Sequence, residues 1–408
     1  MKMKCLFRET RRPTIYRRTG VLISTLTVAM MPSIANAADS KSDANFYANF
    51  NLRYESVSQE NLLPDADALT LRARLGYITE TVNGFSAVIE GEATVELIDD
   101  FSVPPAGVRP GEYSVIADPE SEEIDQAYVK YSAKGFTAKA GRQVLTLDGH
   151  RFVGHVGWRQ DRQTFDGVVV NYMPSDKLTL NASYIAKRNR IFADEADLDS
   201  EDIILNTSYK TSLGKLTGYA YLLEVDNSVP NSLDTYGISL SGSKTAGDTK
   251  LLYTAEFATQ ETNDLFDTEY LFLEGGAVLN GITAKLGYEL LGSDNGQKGF
   301  NTPLATLHKF NGWADQFLVT PNAGLEDIYL SVAGKVAGGK WLATVHKFSA
   351  DESLNGADDL GDEINLQYTR KISEKIVGGA KLAVYSAGDA VFSKVDTDKF
   401  WLWASLKF

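Results

Sequence analysis

Four histidines and one cysteine are all that the 408-residue chain offers for imidazole or thiol chemistry. His150 and His155 stand five apart, which puts them on opposite sides of a strand and fixes no geometry in a loop, so their spacing does not make a metal site. The other two, His308 and His346, stand far from them in the chain. A serine hydrolase set in a barrel wall would need a serine beside one of these rings. No G-x-S-x-G motif occurs, although a triad is a matter of geometry that a sequence can hide. The expectation is no catalytic residue, no metal and no cofactor.

Guanidinium chemistry is better represented. Between Gly141 and Asp166 lie Arg142, Arg151, Arg159 and Arg162, together with Asp148, Asp161, Asp166 and Trp158. Gly149, Gly154 and Gly157 permit sharp turns there. Arginine forks hold carboxylates bidentately, while nearby aspartates fix the arginines and keep the local field from trapping a solute. Such a loop is expected to fold into a lumen and narrow it. On the alternative reading the arginines and aspartates pair with one another inside the wall. A second long connection carries His308, Trp313 and Asp315 over about 30 positions, and unstructured links of that length are usually functional or disordered. Trp313 either offers a stacking face to sugar rings or anchors its loop on a rim.

The elements that must position these residues are strands. From Asn45 to Phe408 the chain breaks into eighteen segments of alternating apolar and polar residues, separated by Gly, Asp, Asn, Ser and Pro. In one of them Leu69, Leu71, Ala73, Leu75 and Tyr77 share a face, against Thr70, Arg72, Arg74, Gly76 and Ile78 on the other. Ile282, Ala284, Leu286, Tyr288 and Leu290 repeat the split against Thr283, Lys285, Gly287 and Glu289. Apolar residues are expected to meet lipid, and Arg72 and Arg74 to face the lumen. A soluble sandwich would show the same alternation with the apolar face inside. Connection lengths favour the barrel: short links such as Asn280-Gly281 and Gly338-Gly339 alternate with long ones at 99–121, 189–200, 226–233 and 293–325. Asp194, Glu195, Asp197, Asp199, Glu201 and Asp202 are expected to be solvated loop acids.

Seven basic residues precede position 19, followed by an apolar stretch from Gly20 to Met31 and then Ala35-Asn36-Ala37. This is the pattern of a cleaved secretory leader over 1–37, too short to span a bilayer as a helix. Cleavage there would remove Cys5 and leave 33 basic and 53 acidic residues, a formal charge of −20. So acidic a chain lacks the basic footprint that nucleic-acid binding needs. Residues 38–408 are expected to form one closed, antiparallel, all-β transmembrane barrel, because after residue 40 no apolar run is long enough to be a spanning helix.

The chain ends Phe400-Trp401-Leu402-Trp403-Ala404-Ser405-Leu406-Lys407-Phe408, which resembles the terminal strand read by barrel-assembly machinery. Gly141-Arg142-Gln143, Arg151-Phe152-Val153-Gly154, Gly157-Trp158-Arg159-Gln160 and Gln163-Thr164-Phe165-Asp166 resemble the corresponding region of bacterial alginate-export-type outer-membrane channels. So does Thr302-Pro303-Leu304-Ala305-Thr306-Leu307-His308-Lys309-Phe310, leading into Gly312-Trp313-Ala314-Asp315. The resemblance implies a monomeric, eighteen-stranded outer-membrane channel with an arginine-rich constriction that passes a polyuronate. By motif it places Arg142, Arg151, Arg159 and Arg162 nearest that role. The expected partners are an anionic saccharide, outer-membrane lipid and the assembly machinery.

Overall fold

In lipid every backbone N–H and C=O must find a partner within the protein, so a sheet that crosses a membrane has to close on itself. The computed structural model describes residues 45–408. The expected leader, 1–37, lies outside the described residues. The strands are β1 (Asn45–Gln59), β2 (Ala66–Ile78), β3 (Phe85–Asp100), β4 (Ser121–Ala133), β5 (Phe136–Gln143), β6 (Thr164–Tyr172), β7 (Leu178–Asn189), β8 (Leu198–Thr211) and β9 (Gly214–Leu223). They continue as β10 (Leu233–Ala246), β11 (Thr249–Thr262), β12 (Phe266–Leu279), β13 (Ile282–Leu291), β14 (Leu325–Val336), β15 (Gly339–Leu354), β16 (Ala357–Lys371), β17 (Ile376–Ser386) and β18 (Thr397–Lys407). Each pairs antiparallel with its neighbours in the chain, and the ring closes where β1 meets β18, from Asn49 opposite Lys407 to Gln59 opposite Thr397.

All eighteen expected segments are strands of this one sheet. β15 and β16 run on to a tight hairpin at Asn355-Gly356. Both turn residues have positive φ, 55° and 82°, a geometry that asparagine and glycine tolerate and that matches strand twist. Asn280-Gly281 turns β12 into β13 in the same way.

The alternation resolves as a lipid-facing exterior. Leu75 and Leu286 are 54% and 60% exposed, whereas Arg72, Arg74 and Glu289 on the opposite faces are buried. On β18, Phe400 and Leu402 point outward with Phe408 just beyond them, and Trp401 is wholly buried inside. A soluble sandwich would reverse these values.

One expectation about the acidic residues is corrected. Asp199, Glu201 and Asp202 belong to β8 and not to a solvated loop. Asp202 is fully buried and takes two bonds from Arg188, at 2.8 and 2.6 Å, because its inward position on β8 faces the neighbouring β7. Asp197, just before β8, pairs with Lys187 at 2.9 Å.

Three long connections fold back over the lumen: 101–120, 144–163 and 292–324. Phe101, Val103 and Ile116 of the first pack on Val57, Ala66 and Ala68 at the top of β1 and β2. Phe152, Val153, Phe300, Leu304, Ala314 and Phe317 of the other two form an apolar core with inward residues of the wall such as Tyr221, Tyr270, Phe348 and Trp401. The core thus sits inside the barrel, between its loops and its wall.

Candidate functional site

The two connections singled out in the sequence bind each other. The Gly154 N–H donates to the Leu304 carbonyl at 2.8 Å and the Thr306 N–H to that of His150 at 3.0 Å. The Gln163 side-chain amide bridges the Leu304 and Gly154 carbonyls at 3.2 and 2.9 Å. A β-carbon at Gly154 would collide with Thr306, so the approach of the two loops requires glycine there. In this way 144–163 and 292–324 act as one insert.

The insert is tied to the wall by its arginines, each matched by acid. Buried Arg151 bonds Glu289 of β13 at 2.6 Å, Thr302 at 3.1 Å and Asn311 at 3.3 Å. Buried Arg159 reaches Glu55 of β1 at 2.9 Å, Asp118 at 3.4 Å and Asp315 at 3.1 Å. Arg162 bonds Asp125 of β4 at 2.5 Å and also meets Glu90 of β3. Arg142 lies on β5, where Asp166 of β6 stands directly opposite and holds it bidentately at 2.8 and 3.2 Å. Asp148 meets Lys215 at 2.6 Å. The pairing reading and the lumen reading therefore both describe these arginines: they lie in or beside the lumen with their charge compensated. Burial of His155 presses its imidazole down to about 4, and burial, with Lys309 nearby, lowers that of His150. The two rings lie edge to face, 5.1 Å apart.

Arg72 differs from them. It is buried on β2, it donates to the Asn49 side chain and to the Gln160 carbonyl, and its Nε–H has no acceptor. Among the described residues no carboxylate forms an ion pair with it. Arg74, two positions on, is paired with Glu92, its cross-strand neighbour on β3. Both arginines line a cavity of about 470 Å³ with Tyr47, Asn49, Arg162 and His155. The cavity lies between the β1–β18 seam and the insert, and Glu90 is the acidic side chain on its wall.

Trp158 and Trp313 surround a third feature. Trp158 stacks on His308, with centroids 5.3 Å apart, and meets Trp401 and Trp403 edge on. The Lys381 ammonium of β17 sits 3.7 Å from the Trp313 centroid and 4.4 Å from that of Trp158. It also donates to His308 Nε2 at 2.7 Å, while His308 Nδ1–H donates to Asp315 at 2.6 Å. That double bonding needs a neutral ring, and burial lowers His308 to about 3. Burial alone would raise Asp315, yet the His308 N–H, Lys399 at 2.7 Å and Arg159 together hold it well below the usual carboxylate range.

Several partners escaped the sequence reading: Glu55, Asp118, Glu289, Lys381 and Lys399. Glu92 had a signal, since Glu90 and Glu92 alternate on β3 just as Arg72 and Arg74 do on β2. The others lie far along the chain from the groups they hold, 104 residues for Glu55 and Arg159.

The family model described as alginate export matches residues 42–284, more than half of the chain. No curated protein matches it. Among solved structures the chain is similar to OccAB3 of Acinetobacter baumannii, at TM-score 0.71 and 13% identity over 90% of this chain and 99% of that one. OccAB4 of the same organism gives 0.70 and 12% over 90% and 98%. Pseudomonas aeruginosa OpdK, crystallised with vanillate, gives 0.69 and 13% over 90% and 98%. At these identities the likeness is one of fold.

Proposed function

This chain belongs to the alginate export family, and from that premise we propose that its outer-membrane channel passes carboxylate-bearing solutes, a uronate saccharide above all, past Arg72. The observation that carries this reading is the buried guanidinium of Arg72, which lines the cavity and has no ion-pair partner among the described residues. A buried cation without a counter-ion is costly and attracts any anion that can reach it. A uronate brings one carboxylate per sugar ring, so a chain of them presents the matching charge repeatedly. OpdK, whose fold is similar, was crystallised with vanillate, itself a carboxylate.

Passage is by diffusion. Conduction needs binding strong enough to admit the solute and weak enough to release it. Glu90 on the same wall and the neutralised pairs Arg74–Glu92 and Arg162–Asp125 supply the weakening. A cavity of about 470 Å³ is the size of a small-ligand site, enough for one or two sugar rings at a time. Arg151, Arg159, Trp158, His308 and Trp313 act on the solute indirectly, by holding the insert that shapes the cavity, while Arg142 ties wall strands β4, β5 and β6 together. Arg162 does both.

The test is single-channel recording of the refolded protein in a planar bilayer, with oligouronates or neutral oligosaccharides of equal length. Blockade by the uronates alone, weakened in Arg72→Gln, is expected. Equal blockade by both saccharides, or none by either, would refute the reading.

A further inference from the structure

Glu92 of β3, Glu123 of β4 and Asp161 of the insert each bring one carboxylate oxygen into a cluster in which the three oxygens lie within 4.8 Å of one another. Glu92 gives its Oε2 to the Arg74 N–H. Asp161 Oδ2 receives one long bond, 3.4 Å, from the Ala193 backbone N–H. The opposite oxygens, Glu92 Oε1 and Asp161 Oδ1, together with Glu123 Oε1, are buried and accept nothing. Asp161 is 0% exposed and Glu92 4%. Of the arginines nearby, Arg142 is bonded to Asp166, Arg162 to Asp125 and Glu90, and Arg74 to the far side of Glu92, while Arg72 forms no ion pair with any of the three acids.

Three converging carboxylates with orphaned oxygens repel one another and forgo water, a combination that a cation or a shared proton must relieve. We propose that Glu92, Glu123 and Asp161 form a calcium site that staples the 144–163 connection to wall strands β3 and β4. Calcium binds six to eight oxygens at about 2.3–2.6 Å, so oxygens across one ion stand up to roughly 5 Å apart, which accommodates this set. Magnesium, at about 2.0–2.1 Å and octahedral, demands a tighter and more regular cage. The bound ion fixes Asp161 between two arginines that do different work. Arg159 anchors the insert and Arg162 lines the cavity. Calcium occupancy therefore sets the position of one wall of the solute cavity. This assignment stands or falls separately from the identity of the solute.

Equilibrium dialysis of the folded, lipopolysaccharide-free protein in detergent against radioactive calcium tests it. One saturable calcium per chain is expected, in the micromolar to submillimolar range of about 10⁻⁶ to 10⁻⁴ M. Asp161→Asn and Glu123→Gln should each weaken it at least tenfold while keeping heat-modifiable folding, whereas Asp358→Asn on the exposed β16 should not. If either variant fails to fold, terbium emission sensitised by tryptophan in the wild type, with Trp158 three residues from Asp161, should appear and be displaced by calcium. Absence of a saturable site, binding indifferent to both variants, or a lack of calcium-displaceable terbium emission would overturn the proposal. So would stabilisation by mild acid in chelator that equals the effect of calcium, since a shared proton would then be the occupant.

Discussion

Arg159 and Arg72 are both buried in the lumen, yet one is surrounded by Glu55, Asp118 and Asp315 and the other has no carboxylate paired with it. On the proposed function, the contrast separates arginines that hold the structure from an arginine left to meet a solute. Removing a partner from a buried ion network strands the remaining charges, whereas removing an uncompensated buried charge relieves a cost. Composition alone cannot make that distinction, since each is an arginine in a polar, lumen-facing position.

The largest effect should follow Arg159→Met, which takes a bond from each of three buried carboxylates, leaving Glu55 and Asp118 to Arg53 and Asp315 to His308 and Lys399. A loss of about 3–5 kcal/mol is expected in denaturant unfolding in detergent, with higher and noisier single-channel conductance as the insert loosens. Arg151→Met should come next, at roughly 2–3 kcal/mol, because Glu289 keeps its bonds to the Tyr270 hydroxyl and Asn311, both at 2.7 Å. If Arg151→Met proved the costlier of the two, the ranking by number of carboxylates that lose a bond would be wrong.

Acid should loosen the insert without any mutation. His308, with an ordinary pKa of 6.5, is held near 3 by burial, so it resists protonation in the folded state. Its contribution is complete above pH 6.5 and is lost as pH falls from there toward 3. Asp315 lies below its ordinary range, so its contribution too is lost only on acidification. Protease protection of the 292–324 connection should therefore fall over that window, and His308→Gln should flatten the change. An unaltered profile in the variant would place the acid sensitivity elsewhere. The smallest stability change is expected for Arg72→Gln, within about 1 kcal/mol, because it removes a buried charge that forms no ion pair.

How legible was all this in the sequence? The strands were, because a lumen and a lipid face impose alternation of period two on each, and short turns such as Asn280-Gly281 punctuate it. The insert was in large part, since three arginines and three glycines mark a weakly alternating stretch, although Arg142, read together with them, is wall on β5. Asp202 was misplaced because an acidic run reads as loop, although its inward position opposite β7 made it strand. Pairing across the lumen was hidden: Glu55 and Arg159 are set by closure of the barrel and by docking of the insert, neither of which leaves a local pattern. Arg74 and Glu92 were the exception, being cross-strand neighbours on adjacent strands. The unpaired state of Arg72 emerges only once the partner of every other buried arginine is known.

That state is the central claim, and its most direct test is ion selectivity, measured as the reversal potential under a salt gradient for wild type, Arg72→Gln and Arg159→Gln. Loss of anion preference in Arg72→Gln, with Arg159→Gln changing conductance more than selectivity, is the predicted result. Unchanged selectivity in Arg72→Gln, or a larger shift in Arg159→Gln, would contradict it.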